Sequence, residues 1–257
     1  MPLTAVRTTV KVLRHRLDFY LFQYQSRGQE KWLCPACGFR GAFREVQALV
    51  ADRKHARCPQ CGSLERHRLQ TLVLNELQKR YDFSNLSLLH FAPEPHLGQR
   101  LKRSFKSYAT ADLYRSGVDF KEDVRKLQQR DASYDVVYAS HLLEHVDDDA
   151  AAISEIRRIL KPGGFAVLPV PIYAEKTVEY GKPNPYEADH VRAPGTDYFQ
   201  RYARSFSRVE TFSSEDFPAI YQTYLYQDRT LWPTEKCPQR PYMEGEKHAD
   251  VVPVCFV

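Results

Sequence analysis

From Leu86 to Val170, short apolar runs alternate with stretches whose apolar residues recur at helical spacing. Leu86-Ser87-Leu88-Leu89-His90-Phe91 has the length of a strand, Ala92-Pro93-Glu94-Pro95 closes it, and Leu97 to Leu101 continues as a helix. Tyr108-Ala109-Thr110-Ala111 then leads into Asp112, a further strand-like pass ends at Glu122-Asp123, and Tyr134 to Ala139 ends at Ser140-His141. Ile153, Ile156, Ile159 and Leu160 mark a helix, and Lys161-Pro162-Gly163-Gly164 turns the chain into an apolar run from Phe165 to Val170. Alternation of this kind predicts an α/β fold with a parallel sheet. Its polar residues gather at strand C-terminal ends, the edge where such sheets bind ligands.

On the N-terminal side, Val6, Val10, Leu13, Leu17, Tyr20, Leu21 and Tyr24 fall at helical spacing among basic residues, which predicts an amphipathic helix. Its apolar stripe is expected to dock on the following domain, the alternative being an anionic membrane surface. A second helix is expected from Ser63, as N-cap, through Leu69, Leu72, Val73 and Leu77 to about Arg80. After Pro171 the chain is too polar and too broken by proline for a core, so residues 173–200 read as a lid over the ligand edge. A helix from Thr196 to Ser205 follows, burying Tyr198, Phe199, Tyr202 and Phe206. Val209 to Phe212 and Val251 to Val257 read as strands, and the aromatic segment between them is left unplaced.

Charge and cysteines add chemistry. The net charge of +5 is uneven: through Gln70 there are 13 Lys and Arg against 5 Asp and Glu. Such a basic third suits a phosphate-bearing ligand, a nucleic acid or an anionic surface, or is simply a solvated face. Cys34-Pro-Ala-Cys37-Gly38 and Cys58-Pro-Gln-Cys61-Gly62 are matching turns, each placing two sulfurs together, and the pair predicts a four-sulfur Zn²⁺ site. Four thiolates leave no open coordination position, so this zinc is expected to be structural. Cys237 and Cys255 lack ligand spacing. No continuous apolar run suggests a signal peptide or a transmembrane segment, and a cytoplasmic location is expected.

Tyr134-Asp135-Val136-Val137, Ser140-His141-Leu142-Leu143-Glu144-His145-Val146 and Leu160-Lys161-Pro162-Gly163-Gly164 stand in an order and spacing that resembles the class I S-adenosylmethionine-dependent methyltransferases over roughly residues 86 to 172. "HFAPE" at 90–94 and "CGSLERHR" at 61–68 are similar to the zinc-ribbon-containing branch of that superfamily. The resemblance implies a seven-stranded Rossmann-like sheet with helices on both faces, plus a small N-terminal zinc ribbon. The implied domains are a basic helix over 1–30, the ribbon over 31–66 and a methyltransferase domain over 67–257. By position it implies S-adenosylmethionine as cofactor, with Asp112 on the ribose hydroxyls, Asp123 and Val124 at the adenine, and His90, Ala92 and Glu94 at the methionine end. Phe91, Leu113, Ser140 and His141 complete the expected cofactor site. The other reading of Asp112 is a capping or surface carboxylate.

His145 and His190 are the candidate catalytic bases, with Asp189 expected to orient His190 and Arg192 to meet an anionic substrate; either histidine could equally be structural. One departure from the family stands out: its first strand-to-helix turn usually carries two or three glycines, and here none occurs before Gly98. That loop must hold the cofactor differently or not at all. The expected function is methyl transfer to a small-molecule or glycan-type acceptor. The alternatives are an RNA methyltransferase whose basic ribbon holds phosphates, and a non-catalytic zinc-ribbon adaptor.

Overall fold

The computed structural model describes residues 17–47 and 51–257. Residues 17–25 form helix α1, and the earlier turns of the amphipathic helix expected from Val6 lie outside the described residues. The expected docking of its stripe is not what this part does. Leu17, Tyr20, Leu21 and Tyr24 are exposed, and it is Phe19 that meets the ribbon, its ring 5.8 Å from that of Phe39. The ribbon offers a small apolar patch of Trp32, Phe39 and Phe43, which one aromatic ring can cover.

Strands β1 (Trp32–Leu33) and β2 (Arg40–Gly41) pair antiparallel, as do β3 (Arg44–Val46) and β4 (Arg53–Arg57). Helix α2 (Glu65–Arg80) leads from the ribbon into β5 (Ser87–Phe91), α3 (Pro95–Ser104), β6 (Ser107–Ala111), β7 (Tyr134–Ala139), α4 (Asp149–Ile159) and β8 (Leu160–Val167). A hairpin of β9 (Val178–Asn184) and β10 (His190–Ala193) precedes α5 (Phe199–Ala203) and β11 (Arg208–Ser213). Short strands β12 (Leu225–Tyr226) and β13 (Lys247–His248) come before β14 (Val251–Phe256).

The main sheet has the order β11-β14-β8-β7-β5-β6. Strands β8, β7, β5 and β6 are parallel, while β14 runs antiparallel between β8 and β11. Seven strands were expected; among the described residues the sheet has six. Beyond β6 the chain makes a single parallel bridge, Ala111 to Phe120. The Thr110 amide, which a longer ladder would need, donates instead to the Asp119 carboxylate at 2.8 Å.

Strand alternation divides the core into two layers. Leu88, Val136, Tyr138 and Val167 meet Leu69, Val73, Leu77 and Leu101 of α2 and α3. Leu89, Val137, Ala139 and Ala166 meet Ile153, Ile156 and Tyr202 of α4 and α5. The Lys-Pro-Gly-Gly stretch, expected as a turn, lies inside β8 beside a break in its register with β7, and both glycines are needed there: Gly163 has φ +76°, and a Cβ on Gly164 would lie 2.7 Å from the Asp135 carbonyl oxygen.

The segment left unplaced in the sequence completes the ribbon. β12 pairs with both β4 and β13, giving the order β13-β12-β4-β3, and the Gln222 and Gln227 amides donate to the carbonyls of His55 and Ala51 at 2.8 and 2.9 Å. Arg68 clamps this junction. Fully buried, it donates to the carbonyls of Gln222, Ala56 and Ser63 at 2.8, 2.8 and 3.0 Å and lies over the Phe43 ring. Among the described residues no helix is long and apolar enough to cross a membrane.

Candidate functional site

The strand order reverses between β5 and β7, and a cleft of about 1010 Å³ opens there, at the carboxyl ends of β5, β6 and β7. It is lined by Phe91, Ala92, Asp112, Leu113, Asp123, Val124, His141 and His145, among others. Seven of the ten residues expected at a cofactor are thus brought together, with one of the two candidate bases. The Asp112 carboxylate accepts from the amides of Tyr114 and Arg115 through one oxygen, both at 2.8 Å, so it caps its own turn while lining the cleft. Asp123 is held by Arg125 at 2.6 Å, which also reaches Asp147. The glycine-free turn solves its backbone problem with alanine: Ala92 has φ +46°, in the left-handed region, and its amide donates to the Ala111 carbonyl at 2.9 Å.

His90, Glu94 and Ser140 are placed elsewhere. Alternation along β5 turns His90 to the α2 and α3 side, where its Nδ1 lies 2.9 Å from the Tyr108 hydroxyl and its ring packs edge-on to Tyr138. Burial pushes its pKa down to about 4. Glu94 Oε1 accepts from Arg66 at 2.8 Å and lies 2.9 Å from His67 Nε2. Burial opposes its charge, but the His67 hydrogen bond and the Arg66 guanidinium hold its carboxyl well below the usual range. The Ser140 hydroxyl lies 3.4 Å from Glu94 Oε2 and accepts from Gln70, which in turn accepts from the Tyr138 hydroxyl at 2.7 Å. These residues form a polar network behind the cleft, tying α2 to the ends of β5 and β7. Ser63 is not the helix cap; its hydroxyl lies 3.2 Å from the sulfurs of both Cys34 and Cys61, and the Leu64 amide donates to His67 instead.

His141 and His145 stand on a turn and a short 3₁₀ segment (Leu143–His145) rather than on one α-helical face. His141 has φ +51° and its Nδ1 lies 3.3 Å from the buried Glu144. His190 comes from the β9–β10 hairpin, its ring 4.6 Å from that of His145, and burial pushes its pKa down to about 4. Glu144, rather than Asp189, is the carboxylate beside it: ligand atoms of Glu144, His145 and His190 lie within 4.8 Å of one another. Sequence reading missed Glu144, although "LEH" placed it next to a candidate base. Arg192 is not available to a substrate. Its buried guanidinium donates to the carbonyls of Leu143, Val146 and Asp147 at 2.6, 2.5 and 2.9 Å and to Glu179, which docks the hairpin on the turn.

Behind His141 and His190 lies a second cavity of about 260 Å³, lined by Arg53, Glu65, Arg66, Arg229, Arg240 and Asp250 along with both histidines. Five buried polar atoms of its lining residues have no hydrogen-bond partner: Glu65 Oε1, Arg66 Nε, His141 Nε2, His190 Nδ1 and Arg229 Nε. His141 lines both cavities.

The cysteines converge as their spacing predicted. Cys34 and Cys61 sulfurs are 3.7 Å apart, as are those of Cys37 and Cys58. A tetrahedron with metal–sulfur bonds of about 2.3 Å has edges of about 3.8 Å, so the four sulfurs have the dimensions of a zinc site. Each knuckle closes with a glycine amide, Gly38 or Gly62, donating to the carbonyl of the first cysteine at 2.8 Å.

Residues 86–168 match the family model described as a methyltransferase domain. That stretch runs from β5 into the end of β8 and includes the strand ends at which the cleft opens. Among solved structures, MccD protein has a TM-score of 0.50 at 11% identity, covering 73% of this chain and 96% of that one. An S-adenosylmethionine-dependent methyltransferase from Mesorhizobium loti has a TM-score of 0.47 at 14% identity, covering 74% and 98%. An uncharacterized 37.1 kDa protein in transposon TN4556 of Streptomyces fradiae is 38% identical over 58 residues, 23% of this chain and 17% of that protein, so the match spans less than a fifth of the relative's length.

Proposed function

We propose that the protein transfers a methyl group from S-adenosylmethionine to a small polar acceptor, with a structural zinc holding the ribbon. The observation that carries this is the pairing of two cavities through His141: an open cleft at the sheet's switch point and a small polar chamber behind it. Asp112 is assigned to the ribose hydroxyls, Asp123 and Val124 to the adenine, and Phe91, Ala92 and Leu113 to the walls. Bound there, the cofactor supplies a methyl group already activated on a sulfonium. The chain's task is to orient the acceptor and relieve its attacking atom of a proton, and the Glu144, His145 and His190 cluster is placed for that.

The second chamber favours a small charged or hydroxylated molecule over a nucleic acid. At about 260 Å³ it falls just below the usual range of ligand-pocket volumes, and Arg53, Arg66, Arg229 and Arg240 are among the residues that line it. A glycan precursor carrying an anionic group is one member of that class.

Calorimetry with S-adenosylhomocysteine on zinc-replete protein tests the reading. Asp112→Asn keeps an acceptor for the Tyr114 and Arg115 amides but removes the charge. Charged hydrogen bonds contribute about 1.5–3 kcal/mol, so the affinity should fall by roughly one to two orders of magnitude at about 1.4 kcal/mol per tenfold. No heat with wild type at high ligand concentration would leave the adaptor reading in its place.

A further inference from the structure

Between the two cavities stand Glu144, His145 and His190, which the mechanism so far treats as a general cluster. Their ligand atoms lie within 4.8 Å of one another. Two of those side chains are more than nine-tenths buried, and both carry an unsatisfied atom: Glu144 Oε2 and His190 Nδ1 have no hydrogen-bond partner. A buried carboxylate and a buried imidazole facing each other with open valences are costly unless something charged joins them.

We propose that Glu144, His145 and His190 bind a divalent metal ion at the wall between the cofactor cleft and the rear chamber. Two imidazoles and one carboxylate are the donor set of divalent first-row metals in sites that keep open positions for substrate. Each ligand is held from behind. Glu144 Oε1 is 3.3 Å from His141 Nδ1, and the turn carrying Glu144 and His145 is fixed by Arg192 through the carbonyls of Leu143 and Val146. Such outer contacts orient metal ligands. His145 is the exposed member and lines the cleft, so the open positions face the cofactor side.

The site's role in catalysis rests on the methyltransferase reading; its existence does not. A hydroxyl of the acceptor coordinated there becomes acidic enough to release its proton to water near neutral pH. Its oxygen then forms the bond to the methyl carbon as the sulfur–carbon bond breaks. The bonding pair returns to sulfur, and S-adenosylhomocysteine leaves uncharged.

The experiment titrates Mn²⁺ into the full chain already carrying zinc on its four cysteines, following free Mn²⁺ by electron paramagnetic resonance and zinc by metal analysis. Mn²⁺ prefers nitrogen and oxygen donors and should not displace zinc from thiolates. Wild type should bind one Mn²⁺ per chain while retaining its zinc. His190→Asn and Glu144→Gln should each weaken Mn²⁺ binding at least tenfold, with folding checked by circular dichroism. If either variant fails to fold, the other carries the test, and His145→Ala, at an exposed position, provides a third. No Mn²⁺ binding by wild type, or binding that survives all folded variants, would overturn the site. S-adenosylhomocysteine calorimetry on the same sample separates the two proposals. Cofactor binding without Mn²⁺ binding removes the metal and leaves the methyltransferase, and the opposite result does the reverse.

Discussion

Glu94 offers the sharpest test of how the ribbon helix supports the cleft. Its carboxylate receives Arg66 at 2.8 Å and His67 at 2.9 Å, just beyond Ala92 at the mouth of the cleft. Replacing it by glutamine preserves shape and one acceptor but removes the charge both partners need. A charged hydrogen bond contributes about 1.5–3 kcal/mol, so Glu94→Gln should lower unfolding stability by about 2 kcal/mol at pH 7. The sign of the pH dependence follows from the depressed carboxyl. Unfolded, Glu94 takes up a proton near pH 4.5; folded, it stays charged at pH 3. Stability from this group is therefore fully present above about pH 4.5 and lost as pH falls toward the folded value. At pH 3 the loss is about 1.5 units at 1.36 kcal/mol each, or about 2 kcal/mol, and glutamine cannot show it. Urea unfolding of both proteins from pH 7 to pH 3 should show the gap between them closing. A gap that stays constant would mean that the Glu94 charge is not what joins α2 to the cleft.

Other expectations are simpler to state. Ala92→Gly should raise stability by about 0.5–1 kcal/mol, or a few degrees in Tm, because the left-handed backbone costs an L-residue roughly 1–2 kcal/mol; Ala92→Val should lower both Tm and S-adenosylhomocysteine affinity, and a Tm unmoved by either would show that the turn is unstrained. Cys58→Ser should release the zinc proposed for the four cysteines, whose apparent binding free energy in small modules is about 10–16 kcal/mol, and should speed amide exchange at the start of α2, where Ser63 contacts the sulfurs; zinc retained at one per chain would remove the four-cysteine assignment.

What the sequence disclosed and what it hid divide along a physical line. Local patterns were legible: period-two and helical spacing located β5, β7, β8 and α4, and the paired cysteine turns converged as their spacing implied. Asp112 and Asp123, which the resemblance set at a cofactor, both line the cleft, Asp112 just past β6 and Asp123 just past the single bridge at Phe120. Partners distant in the chain were not legible. Period-two spacing could have warned that His90 and Phe91 face opposite sides of the sheet, but nothing local says that His90 would find Tyr108 rather than the cofactor. Arg192 looked like a substrate ligand because a cation on a polar hairpin normally stays solvated. Its burial depends on three carbonyls at the end of a turn nearly fifty residues away.

The same distinction holds for α2, whose spacing shows an apolar stripe but not the partners of its polar first turns. Its stripe does face the sheet, yet its first turns carry Arg66 and His67, which both go to Glu94, Arg68, which goes to the carbonyls of the ribbon, and Gln70, which goes to Ser140. A buried arginine such as Arg68 is tolerable only where its donors are satisfied. Here they are satisfied by carbonyls from β4, the end of the second knuckle and the segment before β12. The four-cysteine module is therefore held to the α/β sheet and its helices by directional bonds as well as by apolar contact. Removal of the zinc proposed for the four cysteines should therefore be felt at Glu94 and Ser140, which stand behind the cleft, so a module outside the cleft helps to shape it.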